Sequence, residues 1–205
     1  MAVFRAFKAL RPTEGKAAAV AALPYDVVNR EEAAAIGKEN PDSFLHIDRA
    51  EMDLPAETDL YDVKVYQKAK ENLHKMEETG VLVQDHKPCY YIYELVRKGK
   101  VQTGIAGCAS IDDYLNNVVK KHELTRSDKE LDRINHVDVC DANTGPIYLA
   151  CRYTDALSAL LEQWKKEHKA AYDFTEEDEI THRVWVIDGD EAISQIQDEM
   201  EKIPA

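Results

Sequence analysis

An α+β fold, with a mixed or antiparallel sheet built on a central hairpin and flanked by helices, is predicted by three features of the sequence. Residues 89–96 are rich in aromatic and β-branched side chains, Arg97-Lys98-Gly99-Lys100 is turn-like, and residues 101–111 return as a second strand. Val65, Ala69, Leu73 and Met76 recur at helical spacing, which marks a long amphipathic helix. Strands and helices do not alternate regularly along the chain, as a doubly wound parallel sheet would require.

The elements follow in order. An apolar stretch over residues 17–23 leads to the turn Pro24-Tyr25-Asp26. Asn29 is placed to cap a helix over residues 30–38, which Asn40-Pro41 ends. Residues 43–47 alternate like a short strand, and residues 52–59, with Pro55, read as a loop. Asp62 opens the long helix, which runs up to Gly80. Within the hairpin, Gly104 and Gly107 suggest a bulge or a close backbone approach. Ser127-Asp128-Lys129-Glu130 reads as a capping box that starts a helix at Asp128; it runs to about Ala142 and stops at Asn143-Thr144-Gly145-Pro146. A strand over residues 147–152, a helix over 155–168, a strand over 182–187 and a helix over 192–203 complete the chain. No internal repeat or linker is evident, so the 205 residues read as one domain.

Composition narrows the functional classes. Hydrophobic residues make up 44% and charged residues 32% of the chain, a globular balance. No apolar run approaches the ~18 residues that span a bilayer, and the N-terminus lacks the apolar region and cleavage pattern of a secretory leader. A cytoplasmic protein without membrane partners is expected. The cysteines Cys89, Cys108, Cys140 and Cys151 show no CxxC spacing and suggest reduced thiols, not a zinc site or a disulfide framework. With 26 basic and 39 acidic residues the formal charge is -13, which repels a polyphosphate backbone and argues against DNA as a partner.

Against that acidic background, residues 120–136 (KKHELTRSDKELDRINH) gather seven basic or imidazole side chains with four carboxylates. At ~100° per residue, Lys129, Asp132, Arg133, His136 and Asn143 fall on one arc of the predicted helix. Leu131, Ile134, Val137 and Ala142 fall on the other, which predicts that the apolar residues are buried and the polar ones line an exposed or cleft-facing side. Lys120, Lys121, His122 and Arg126 lead into the helix N-terminus, whose unpaired amides favour an anion. The pattern fits a pocket for a small anionic ligand, and equally a solvated helix laced with salt bridges. Asp26 is a second candidate, as a general base, as a group that holds a cation, or as a side chain capping its own turn. Its turn, with Tyr25, is expected to share a cleft with His122 and Glu123.

Other chemistries find little support. His122-Glu123 lacks the second His of HExxH, and Asp132 with His136 more simply forms an ion pair than half of a metal site completed by His122 or Glu123, so no metal ligand is assigned. Neither G-x-S-x-G nor a Walker-type GxxxxGK[ST] occurs.

LPYDVV (23–28), NPDSFLHI (40–47), the 120–136 segment, TGPIY (144–148) and YDFT (172–175) together resemble, in the right order, the domain-of-unknown-function family 1015. That family is similar to ParB/sulfiredoxin-like enzymes, which include kinases of free serine. The resemblance implies nucleotide-dependent phosphoryl transfer to a small hydroxyl substrate, with ATP or ADP and Mg²⁺. On this reading Glu123 or Asp26 is the base, and Tyr25, Lys121, His122, Arg126, Lys129, Asp132, Arg133 and His136 bind phosphate or ligand. The alternative is a non-catalytic module that senses a phosphometabolite or nucleotide. Family members are typically longer, and a GHHR-like element is expected beyond Ala205. The chain is therefore expected to be the N-terminal part of a longer protein or a divergent short member, and to bind phosphate or nucleotide weakly and without turnover.

Overall fold

A computed structural model describes residues 3–121, 126–176 and 179–203. The chain runs β1 (Phe4–Arg5), β2 (Leu10–Pro12), α1 (Ala17–Val20), α2 (Arg30–Glu39), α3 (Leu45–Asp48), a 3-10 turn (Ala50–Asp53), α4 (Val63–Glu78) and β3 (Leu82–Gln84). It continues through β4 (Tyr90–Arg97), β5 (Lys100–Ala106), β6 (Cys108–Ala109), α5 (Ile111–Leu115) and α6 (Ser127–Cys140), and ends with α7 (Asp155–Glu167), β7 (Tyr172–Thr175), β8 (Thr181–Ile187) and α8 (Asp190–Lys202). The packing of the Cα trace divides it into two compact units: Met1–Gly15, Gln84–Glu123 and Leu149–Ala205 in one, Lys16–Val83 and Leu124–Tyr148 in the other.

The first unit carries the predicted antiparallel sheet, in the order β5-β4-β8-β7. Lys98 and Gly99 both take positive φ, 50° and 75°, the geometry by which a two-residue turn matches the twist of its strands. Pairing of Tyr90 with Ile187 and of Ile92 with Trp185 puts these four side chains on one face. Leu157, Leu161, Ile196 and Ile203 cover them, so that α7 and α8 bury this face as a hydrophobic core. Glu94, two residues further along, lies on the same face and is also buried. Its carboxylate accepts from Lys165 Nζ at 2.9 Å and from Arg183 Nη1 at 3.2 Å, which compensates the lost hydration. Gly107 is a close approach of backbone to side chains, since a Cβ there would lie 2.5 Å from the Phe4 ring and 2.9 Å from Tyr90. A Cβ at Gly104 would meet only the Tyr93 carbonyl, at 3.9 Å.

The second unit is helical. The Asn29 side chain accepts from the Glu32 amide while the Glu32 carboxylate accepts from the Asn29 amide, a complete capping box that starts α2 where the sequence predicts it. Asp62 caps α4, and Val65, Tyr66, Ala69, Leu73 and Met76 form its buried stripe. Val28, Ala33 and Leu45 make a small core of their own, with Met52 packed against it.

Several expectations are corrected. Residues 43–47 are not a strand but lead into α3. Ser43 Oγ accepts from the Leu45 amide, and the Ile47 amide reaches Phe44 O, so local bonds close a helical turn where a five-residue alternation could not decide. Residues 147–152 form no strand, and Ile147 and Tyr148 are each 80% exposed: a short apolar run does not by itself decide for a strand. Residues 172–175, noted only as a motif, form β7. The capping box at Ser127 is not formed. Arg126 is the N-cap residue without a side-chain bond, and its guanidinium instead pairs with Asp128. The helix ends at Asp141, whose φ of 52° is left-handed, two residues before the expected stop at Asn143.

Candidate functional site

The orientation of α6 departs most from the amphipathic prediction. Asp132, His136 and Cys140, spaced by four, are its buried residues, while Leu131, Ile134 and Val137 are 58%, 56% and 37% exposed. The angular grouping of Lys129, Asp132, Arg133 and His136 on one face holds, but the polar face is the one turned inward. Burying it is tolerable because its polar atoms are partnered. Tyr66 of α4 donates its hydroxyl to Asp132 Oδ1 at 3.0 Å, and Arg133 Nε and Nη2 donate to Asp132 Oδ2 at 3.1 and 2.8 Å. His136 Nε2 bonds the Ile47 carbonyl at 3.1 Å, so this nitrogen carries the proton and Nδ1 faces Thr144 Oγ1 at 3.4 Å.

These residues form one wall of a pocket that encloses about 40 Å³. The other wall comes from the end of α3 and the 3-10 turn, with Asp48, Arg49 and Glu51; Tyr25 and Tyr61 lie at its sides. Arg49 Nη2 stands 2.9 Å from Glu51 Oε1, and its Nη1 reaches the Tyr25 carbonyl at 3.4 Å. The Arg133 guanidinium lies 4.3 Å from the Tyr25 ring centroid, a cation–π contact that holds the 24–26 turn beside α6. Lys129 Nζ lies 6.0 Å from the Tyr61 ring centroid.

Three cations and three carboxylates therefore line the space, and two pairs are already made: Arg49 with Glu51 and Arg133 with Asp132. Lys129 and Asp48 have no ion pair among the described residues. Burial pushes the Asp48 carboxyl above the ordinary carboxylate range, although a Thr144 hydrogen bond and the fields of His136 and Arg133 pull the other way. Asp48 Oδ1 and Arg49 Nε are both buried and have no hydrogen-bond partner among the described residues. An acceptor and a donor left unmatched at one pocket can engage a ligand carrying the complementary groups. A cavity of this size admits water or a single phosphate- or carboxylate-sized group. Among the described residues no cluster of three or more His, Cys, Asp or Glu could hold a metal.

Of the residues nominated from sequence, Tyr25, Lys129, Asp132, Arg133 and His136 converge on this pocket. Asp26 does not: it is exposed in the adjoining turn and is not a lining residue. Arg126 is exposed and committed to Asp128, whose carboxyl it lowers by hydrogen bonding. Lys121 belongs to the sheet unit, where its Nζ lies 4.5 Å from the Tyr114 ring centroid. His122 and Glu123 lie outside the described residues, and with them the expected cleft shared by His122 and Asp26. Sequence reasoning missed Asp48, Arg49, Glu51, Tyr61 and Tyr66. Reading residues 43–47 as a strand hid the helical turn, Leu45–Asp48, that carries Asp48 into the pocket.

The fold and the pocket define an α+β protein whose helical unit carries a small, charged, partly unsatisfied site. A family model described as "Protein of unknown function (DUF1015)" matches residues 4–205, and the chain belongs to that family. No curated protein and no solved structure matches it. Among the described residues no helix is long and apolar enough to cross a membrane.

Proposed function

We propose that the pocket of the helical unit binds a small anionic molecule that also carries a hydroxyl, and that the protein transfers a phosphoryl group to or from that hydroxyl. The observation that carries this reading is the juxtaposition of Asp48 Oδ1 and Arg49 Nε, a buried acceptor and a buried donor without partners among the described residues. Arg133, Lys129 and Arg49 supply the cations that charge development on a phosphoryl group requires. Asp48, instead of Asp26 or Glu123, is the carboxylate placed to take the hydroxyl proton, and its raised pKa makes it a better base than an ordinary aspartate. Kinship with ParB/sulfiredoxin-like serine kinases, implied by the sequence motifs, is part of this proposal.

ATP or ADP with Mg²⁺ is the donor that kinship implies. The terminal phosphoryl group of that donor would pass to the hydroxyl oxygen, leaving the shorter nucleotide phosphate, while the hydroxyl proton passes to Asp48. In a second reading the pocket senses a phosphometabolite without turning it over, since it holds space for one phosphate-sized group. Calorimetry with inorganic phosphate, phosphoserine, ATP and ADP, each with and without Mg²⁺, separates the readings when paired with a serine-phosphorylation assay. Binding that Arg133→Ala and Lys129→Ala weaken, with transfer that Asp48→Asn abolishes, supports the enzyme. Binding without transfer supports the sensing module, and no binding by folded protein removes both.

A further inference from the structure

We infer that Arg30, which does not line the pocket, is a positioning residue that fixes the pocket's second wall; the inference rests on the reading of that pocket as an anion site. Arg30 is the first residue of α2, held in place by the Asn29–Glu32 capping box. Its guanidinium gathers the backbone of the segment that follows α3. Nη2 is shared by the carbonyls of Glu51 at 2.6 Å, Leu54 at 3.0 Å and Pro55 at 2.8 Å, while Nη1 donates to Ala56 at 2.9 Å and Thr58 at 3.1 Å. Five carbonyls of an eight-residue stretch with little regular structure thus converge on one planar cation. A lysine ammonium, a single point donor, cannot span them.

The segment it gathers supplies the wall. Glu51, whose carbonyl Arg30 holds, is the residue that pairs with Arg49 at the pocket. Three residues past Thr58 comes Tyr61, whose amide donates to Asp59 Oδ1 at 2.8 Å and whose ring approaches Lys129. Asp62 then caps α4. Arg30 is therefore the anchor between a rigid helix and two pocket side chains, and it acts on the ligand through Glu51 and Tyr61 rather than by contact. A site held within a fraction of an ångström binds tightly only if such supports are stiff.

The test compares wild type with Arg30→Ala, Arg30→Lys, Tyr61→Ala and the Arg30→Ala/Tyr61→Ala double variant, using inorganic phosphate in calorimetry and amide hydrogen exchange. Arg30→Ala is expected to weaken phosphate on the order of tenfold, with Arg30→Lys recovering only part of the loss. The double variant should lose less than the sum of the singles, because both changes disturb one wall. Exchange should accelerate over residues 51–62 while α4 and α6 keep their protection. Unchanged phosphate affinity in Arg30→Ala, or exchange rising uniformly through the helical unit, overturns the inference. Absence of phosphate binding by wild type overturns the reading of the pocket itself, a distinct result.

Discussion

Asp48 illustrates how one residue is defined by its surroundings. In sequence it is an aspartate among ordinary neighbours; in the fold it ends α3 with its carboxylate in the pocket, where burial raises its pKa above the unfolded value. A carboxylate raised in this way imposes a penalty on folding that is absent below the unfolded pKa of about 3.9 and grows as pH rises through the folded value. Asp48→Asn, which keeps the shape and removes the charge, is expected to be more stable than wild type at neutral pH. Urea denaturation across pH should show that advantage shrinking as the pH falls through the raised folded value and gone below about 4. An equal difference at all pH values would mean that packing, not ionisation, is responsible. The coincidence of lost activity with gained stability in this variant would be the mark of a functional carboxylate retained at a cost.

At the scale of the element, α6 shows that an amphipathic helix need not bury its apolar face. Asp132, His136 and Cys140 face inward and Leu131 and Ile134 outward. The inverted orientation reverses the usual ranking of substitutions. Leu131→Lys and Ile134→Lys are expected to change the unfolding free energy by less than about 0.5 kcal/mol, as for other surface positions. Asp132→Ala is expected to cost about 1–3 kcal/mol, since it strands the Tyr66 hydroxyl and removes the partner of Arg133. Chemical denaturation of the three variants checks this directly, and a large loss from either lysine substitution would show that the apolar side of α6 is packed after all.

At the scale of the whole molecule, the acid limb of stability is set by carboxylates in both units. Asp85 and Glu94 in the sheet unit and Asp53 in the helical unit all have depressed pKa values. In each case burial works to raise them, and hydrogen-bonded partners more than offset it: Arg11 and Tyr91 for Asp85, Lys165 and Arg183 for Glu94, His46 and Asn72 for Asp53. Depressed carboxylates contribute stability above their unfolded pKa and lose it as pH falls through the folded value. Unfolding free energy is therefore expected to decline on acidification below about pH 4. Glu94→Gln should have a flatter acid limb and lower stability at neutral pH, where Lys165 is left beside a neutral side chain. A Glu94→Gln limb as steep as that of wild type would show that Glu94 contributes little to it.

Local chemistry was legible in the sequence wherever a pattern was long or a cap complete. The period-3.6 stripe of α4, the Asn29 cap of α2, the hairpin with its Lys98-Gly99 turn, and the cluster of Lys129, Asp132, Arg133 and His136 on one helical face each depend on residues within a few positions of one another. Which face of α6 turns inward was decided by tertiary structure, because the Tyr66 hydroxyl and the Ile47 carbonyl that partner Asp132 and His136 lie 66 and 89 residues away. The same holds for Asp48: its burial depends on packing that no window around residue 48 contains. The sequence by itself determined the fold class, most elements and which residues of α6 share a face; the tertiary structure alone decided that this face turns inward and which segment stands opposite it, since hydrogen bonds between distant segments outweighed the preference that local hydrophobicity set.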